Sequence, residues 1–202
     1  MAKLIFKYST MNSGKTIDLI RTVHNYEENN YKVLVLKPIV DTKGNDNIKT
    51  RVGLERKVDF LIKENDSIIE LLKGKLENIE CIFIDEAQFL KPNQIDELFL
   101  ITKSVNIPVI CYGLRNNFKL ESFEGSRRLL EIADTLEEFK TLCYCGDIAR
   151  YVGRQVNGKY VVEGDEILID GQKDVKYIPL CGKHYLENVT KIDLEKIKED
   201  LK

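Results

Sequence analysis

Leu4-Ile5-Phe6-Lys7-Tyr8-Ser9-Thr10-Met11-Asn12-Ser13-Gly14-Lys15-Thr16 decides how this chain reads. A short apolar run enters a turn-forming stretch, and Lys-Thr stands where a helix begins. Leu19, Ile20, Val23 and Tyr26 then fall at helical spacing, with Asp18, Arg21 and Glu27 opposite. A lysine at a helix N-terminus opposes the macrodipole unless an anion is bound there. The pattern is that of a phosphate-binding loop, in which Ser9, Thr10, Met11, Asn12, Ser13 and Gly14 wrap phosphate oxygens with backbone N–H groups. Lys15 reaches the β/γ-phosphates and the Thr16 hydroxyl ligates Mg²⁺. Ser9 holds the position that the G-x-x-x-x-G-K-[ST] pattern gives to its first glycine. Plain turn punctuation would explain Gly14 but not Lys15-Thr16.

Working outward, strand and helix alternate over the first two-thirds of the chain. Lys32-Val33-Leu34-Val35-Leu36 reads as a buried strand ended by Pro38, and residues 41–47 as a polar loop. Asp66 or Ser67 caps a helix carrying Ile68, Ile69, Leu71 and Leu72, and Pro92 opens another with Ile95, Leu98, Phe99 and Ile101. Cys81-Ile82-Phe83-Ile84 and Ile107-Pro108-Val109-Ile110-Cys111 are further strands, the second leading into Gly113. Helical spacing returns at Leu129, Leu130 and Ile132. Such alternation predicts an α/β fold with a parallel sheet and ligands at the strand C-terminal ends. Beyond Phe139, short alternating runs between Gly-containing turns predict a small β-rich module, followed by a charged helix from about Ile192. The expected division is a nucleotide-binding domain over 1–138, the module over 139–190 and a helical tail over 191–202.

Ile82-Phe83-Ile84-Asp85-Glu86 is an apolar strand ending in two acids. In a phosphate-loop protein this is where an Asp supports Mg²⁺ and a neighbouring acid takes the proton of the attacking nucleophile. Asp85 and Glu86 are the candidates. Alone, two acids after a strand form a solvated turn; together with residues 9–16 they read as catalytic. Cys143-Tyr144-Cys145 and Cys181-Gly182-Lys183-His184 are two close pairs 35 residues apart. Cys143, Cys145, Cys181 and His184 match a closed tetrahedral zinc site of the structural kind, which would staple a module too small for much core. Cys81 and Cys111 read as small buried hydrophobes and His24 as a surface residue.

The composition is that of an ordinary globular protein of 202 residues, 43% hydrophobic and 32% charged. The net charge of −2 gives no electrostatic ground for a nucleic-acid partner. No apolar run reaches membrane-span length and no signal-peptide core is seen, so a cytoplasmic protein without a membrane partner is expected. There the five cysteines are free or metal-bound.

Taken together, the chain resembles the type II thymidine kinases over nearly its whole length. The resemblance rests on residues 8–16, Ile84-Asp85-Glu86-Ala87-Gln88-Phe89, Cys111-Tyr112-Gly113-Leu114-Arg115, Phe118, Phe123, the Cys143/Cys145 pair, and Tyr177 with Cys181 and His184. It implies a recombinase-like phosphate-loop domain with a zinc-binding lasso module. It also implies transfer of the ATP γ-phosphate to the 5′-hydroxyl of thymidine or deoxyuridine. Glu86 would be the base, Lys15 and Gln88 would act with the nucleotide, and Thr16 and Asp85 with Mg²⁺. Phe118 would pack against thymine; Met11, Leu114 and Tyr177 would shape the methyl pocket, with Phe123 nearby. A lasso through about residues 167–177, including Ile167, Leu168, Ile169 and Asp170, would grip the base through its main chain. A homotetramer and feedback inhibition by thymidine triphosphate are implied by the resemblance alone. Lys43 stands where the family usually has Arg, keeping the charge without the planar fork.

Two rivals make different predictions. A nucleoside kinase of shifted specificity would prefer another deoxynucleoside. A phosphate-loop ATPase with a zinc element reading nucleic acid would show ATPase stimulated by DNA or RNA. Against the latter stand the near-neutral charge and the lack of a second motor domain.

Overall fold

Runs of Val, Ile, Leu and Phe with no polar interruption build strands buried on both faces, the condition for a parallel sheet covered by helices. The computed structural model describes residues 1–39, 46–164 and 174–202. In chain order the elements are β1 (Leu4–Ser9), α1 (Lys15–Glu28), β2 (Lys32–Pro38), β3 (Asn47–Lys49), β4 (Glu55–Lys57), β5 (Phe60–Ile62), α2 (Ile68–Leu72), β6 (Ile79–Ile84), α3 (Pro92–Ser104), β7 (Val109–Leu114), α4 (Glu124–Ile132) and β8 (Thr135–Glu138). There follow β9 (Thr141–Leu142), β10 (Ile148–Ala149), β11 (Tyr151–Val156), β12 (Lys159–Val161), β13 (Val175–Leu180), α5 (Gly182–Asn188) and α6 (Leu194–Asp200). Two compact units divide them. One takes Met1–Tyr8, Gly14–Arg115 and Phe123–Glu138; the other takes Ser9–Ser13, Asn116–Ser122 and Phe139–Lys202.

The first unit is an α/β sheet in the order β5-β2-β6-β7-β1-β8, with the pairs β2/β5, β2/β6, β6/β7 and β1/β8 parallel. Because side chains alternate along a strand, Leu4, Phe6, Leu36, Ile82, Ile84, Val109 and Cys111 face one way. They join Ile68 and Leu72 of α2, Ile95 and Leu98 of α3, and Leu129 of α4 in a single core. Phe83 points the other way and meets Tyr26 of α1 edge-on, with ring centroids 5.7 Å apart. Asp18 accepts hydrogen bonds from Tyr112 Oη at 2.9 Å, Lys7 Nζ at 3.2 Å and Arg21 at 2.6 Å. It therefore pins α1 to β1 and β7, where helical spacing alone placed it on the solvent face.

The second unit is antiparallel. A three-stranded sheet β12-β11-β13 and the small pair β10-β9 enclose a short core of Cys143, Ala149, Leu180, Cys181, Tyr185 and Val189. Among the described residues no helix is long and apolar enough to cross a membrane.

Helix starts follow their sequence signals. Ser67, not Asp66, caps α2, its hydroxyl accepting from Glu70 N, and Pro92 opens α3. The charged C-terminal helix begins at Leu194 under an Asp193 cap. Four strands of the first unit carried no readable signal. Asn47, expected in a loop, starts the β3/β4 hairpin, whose three-residue strands are too polar and short to show alternation. β5 is equally short, and β8 is a mostly polar edge strand. Residues 41–45 of the expected loop lie outside the described residues.

Candidate active site and metal centre

Between β1 and α1 the chain turns through two left-handed residues, Asn12 (φ 62°) and Gly14 (φ 82°). Such residues swing successive N–H groups toward one side and form an anion nest. Gly14 N-caps α1 with no side-chain hydrogen bond, leaving Lys15 and Thr16 in the first turn. Ser9 has no positive φ, so its position does not require glycine. Its hydroxyl lies 2.6 Å from the Thr10 carbonyl and also bonds the Ser13 hydroxyl across the loop. The departure at the first loop position is thereby accommodated: a side chain fills the turn that the pattern leaves bare.

At the end of β6, Asp85 is 5% exposed. Burial, with Glu86 beside it, raises its carboxyl pKa to about 7 against the pull of Lys37 and Lys15. Burial also lowers the Lys15 ammonium to about 8, although Glu86 and Asp85 attract its charge. Both acids and the loop lysine thus lie near enough to act on one another's charge, which brings together three of the predicted catalytic groups. Glu86 has φ 52° and ψ 37°. That left-handed conformation costs a residue with a side chain on the order of 1 kcal/mol and is kept where surrounding structure enforces it. Here the enforcement is visible. The turn Ala87–Phe89 follows directly, and a Cβ on Gly125 in α4 would sit 2.6 Å from the carbonyl oxygens of Ala87 and Leu90. Only glycine lets the helix come this close.

Gln88 is buried and its amide joins Glu86 to the backbone of Leu114. Phe123 is buried against Phe89 edge-on, with centroids 5.6 Å apart. Phe118 belongs to the other unit, on a loop shaped by Asn117, whose Oδ1 accepts from the N–H groups of Lys119 and Glu121 at 2.9 and 3.0 Å. It is 2% exposed. The Arg154 guanidinium lies 3.8 Å from its ring centroid, and Tyr185 Oη donates to its carbonyl at 2.6 Å. Tyr177 on β13 pairs directly with Arg154 on β11. A fully buried arginine therefore connects two residues that the sequence singled out for the nucleoside base. Arg154, Tyr185, Gly125 and Ser126 were all missed. A lone Arg in a strand pattern or a Gly near a helix start carries no local signal; only the packing shows its use. Ile167, Leu168, Ile169 and Asp170 lie outside the described residues.

Cys143, Cys145, Cys181 and His184 come together as the spacing predicted, with their ligand atoms all within 4.8 Å of one another. Cys143 Sγ and Cys181 Sγ lie 3.3 and 3.4 Å from His184 Nδ1, and Cys145 Sγ lies 3.9 Å from Cys181 Sγ. A tetrahedral zinc with bonds of about 2.3 Å to sulfur and 2.0–2.1 Å to nitrogen has edges of about 3.8 Å (S–S) and 3.6 Å (S–N). The cluster could hold zinc with little movement. Burial opposes ionisation of Cys143, but backbone N–H groups of Cys145 and Cys181, then the His184 and Cys145 side chains, outweigh it and lower its thiol to about 6. Tyr144 stacks on the His184 ring at 4.2 Å. The remaining cysteines differ: Cys81 and Cys111 are fully buried, and burial pushes the Cys81 thiol up to about 12. The His24 side chain is 66% exposed, as expected of a surface residue.

The thymidine kinase family model matches residues 2–185. The chain belongs to the thymidine kinase family. A thymidine kinase from Streptococcus gordonii is 42% identical over 189 residues, 93% of this chain and 97% of that protein. Thymidine kinases from Francisella tularensis subsp. holarctica and Lactococcus lactis subsp. lactis are each 40% identical, covering 94% and 93% of this chain and 99% and 98% of theirs. A solved helicase, Pif1 from Candida albicans, superposes at a TM-score of 0.38 with 15% identity over 70% of this chain and 36% of that one, too slight a likeness to bear on the fold. Membership in the thymidine kinase family makes the protein a nucleoside kinase that uses ATP. It gives Lys15, Glu86 and the buried Asp85 a chemical context.

Proposed function

We propose that the protein transfers the γ-phosphate of ATP to the 5′-hydroxyl of thymidine, with Glu86 as the general base. The observation carrying this reading is the Lys15–Asp85–Glu86 cluster at the end of β6 in a chain of this family. The residues 9–14 would hold the triphosphate through backbone N–H groups, and the enclosed Lys15 ammonium would meet the β/γ-phosphates. Asp85 and the Thr16 hydroxyl are hard oxygen donors of the kind Mg²⁺ takes. A carboxyl held near neutrality by burial and Glu86 is one that a cation would help to ionise. Held by these two residues, Mg²⁺ would supply neutralisation of the phosphate charge that builds up during transfer.

In the transfer, the 5′-oxygen bonds to the γ-phosphorus as the bond to the β,γ-bridging oxygen breaks. Glu86 accepts the hydroxyl proton, and the products are thymidine monophosphate and ADP. Phe118 packs against thymine, and Met11, Leu114 and Tyr177 surround its methyl group, with Phe123 nearby and residues 167–170 reaching the base through the main chain. A small apolar pocket favours a methyl by only about 1–3 kcal/mol, so deoxyuridine remains a substrate. Zinc at Cys143, Cys145, Cys181 and His184 would be structural, stapling a lasso module of residues 139–190. Residues 1–138 make up the recombinase-like domain and 191–202 a helical tail. A homotetramer, feedback by the triphosphate and a cytoplasmic location complete the reading.

Glu86→Gln tests the base. It should leave MgATP affinity near wild type and lower kcat by about 10²–10⁴-fold. A kcat within about threefold of wild type removes Glu86 from that role.

A further inference from the structure

Gln88 sits in the turn after β6, 2% exposed. Its Nε2 donates to Glu86 Oε2 at 2.5 Å, and its Oε1 accepts from the Leu114 N–H at 3.1 Å. The Leu114 carbonyl in turn accepts from Ser126 Oγ at 2.5 Å. The end of β7 is thus held from both sides by side chains, and one of them also holds the Glu86 carboxylate. The space around the amide is closed. A Cβ on Gly113 would lie 2.9 Å from Gln88 Oε1, and one on Gly125 would lie 3.0 Å from the Gln88 carbonyl.

We propose that Gln88 is a positioning residue for phosphoryl transfer, aiming the Glu86 carboxylate and fixing it in register with Leu114. The inference rests on Glu86 being the base and goes beyond it by naming what orients that base. The amide serves both partners, because a carboxylate needs a donor and a backbone N–H needs an acceptor. The left-handed backbone at Glu86 points the carboxylate, and the Gln88 donor stops it from rotating away. The charged groups facing Glu86 are Lys15 of α1 and Asp85 of its own strand end, with Lys37 of β2 acting on Asp85.

The test is kcat and thymidine KM at saturating MgATP for Gln88→Met and Gln88→Glu, with Glu86→Gln alongside. Gln88→Met should lose about 10–100-fold in kcat, the cost of a base displaced by about 1 Å, with thymidine KM changed less than about threefold. Gln88→Glu keeps an acceptor for Leu114 but removes the donor to Glu86, so it should lose kcat by at least as much, again with little change in KM. Wild-type kcat in both variants overturns the proposal. A role in folding alone would lower thermal stability and leave the kcat of the folded enzyme in place. If either variant fails to fold, Gln88→Asn decides: one methylene shorter, it should show the kcat loss, and wild-type kcat there counts against the inference. Near-normal turnover of Glu86→Gln overturns the base itself. An inactive Glu86→Gln beside normal Gln88 variants overturns only the role of Gln88.

Discussion

Asp85 and Lys15 lie near enough to act on one another's charge, yet burial outweighs their attraction on both, raising the acid to about 7 and lowering the lysine to about 8. For Asp85 the folded value lies above the unfolded 3.8, so the protonated form is the one the ligand-free fold prefers. Its stabilising contribution is complete below about pH 4 and is lost as pH rises through about 7. At about 1.4 kcal/mol per unit, the shift corresponds to a few kcal/mol of stability lost across that window. Asp85→Asn should therefore make the ligand-free protein more stable than wild type at about pH 8, by roughly 2 kcal/mol, with the gap closing toward pH 5. Denaturant melts of both proteins at the two pH values measure it. Equal stability at about pH 8 would show that Asp85 is not strained by its surroundings. The place of these acids at a strand end was legible, since an apolar run followed by Asp85 and Glu86 marks where β6 stops; their catalytic role is a proposal. Phe118 was legible only as an aromatic needing a reason, and its partner Arg154 was not legible at all. A buried cation over a ring is a product of packing, with no sequence period.

At the scale of elements, the β-rich part of the chain shows how far a metal can replace a core. Among the described residues its buried apolar cluster has six members, and two of them, Cys143 and Cys181, are also predicted zinc ligands. Structural zinc contributes about 10–16 kcal/mol in small finger peptides, at least on the scale of what burying such a cluster supplies. Cys181→Ser should lose stoichiometric zinc and unfold at lower temperature, as should the wild type after chelation. Elemental analysis with thermal melts reads both. Zinc retained by the variant, or absent from freshly purified wild type, contradicts the assignment. The helices were legible from their caps and apolar stripes, as Ser67 and Pro92 show. In the first unit the strands missed were three or four residues long, and β3, β4 and β8 are mostly polar; among the described residues β3 and β4 pair only with each other, and β5 and β8 lie at the sheet edges. Their pairing is fixed by the chain around them, so no local pattern announces it.

For the molecule as a whole, the order of motifs along 202 residues said more than any one of them. A loop lacking its first glycine is weak evidence; the same loop followed by Asp85-Glu86 and the cysteine–histidine pairs in order identifies a family, and family comparison agrees over residues 2–185. What motif order could not show is how Gly125 and Gln88 hold the turn after β6, because that depends on atoms from segments distant in sequence. The account stands on where the γ-phosphate goes. γ-labelled ATP, with Mg²⁺ and thymidine, deoxyuridine, the other deoxynucleosides or no acceptor, measures this directly. The account predicts label on the 5′-oxygen of thymidine, less on deoxyuridine, and little free phosphate. Free phosphate with no labelled nucleoside would mean that water is the acceptor and would contradict it.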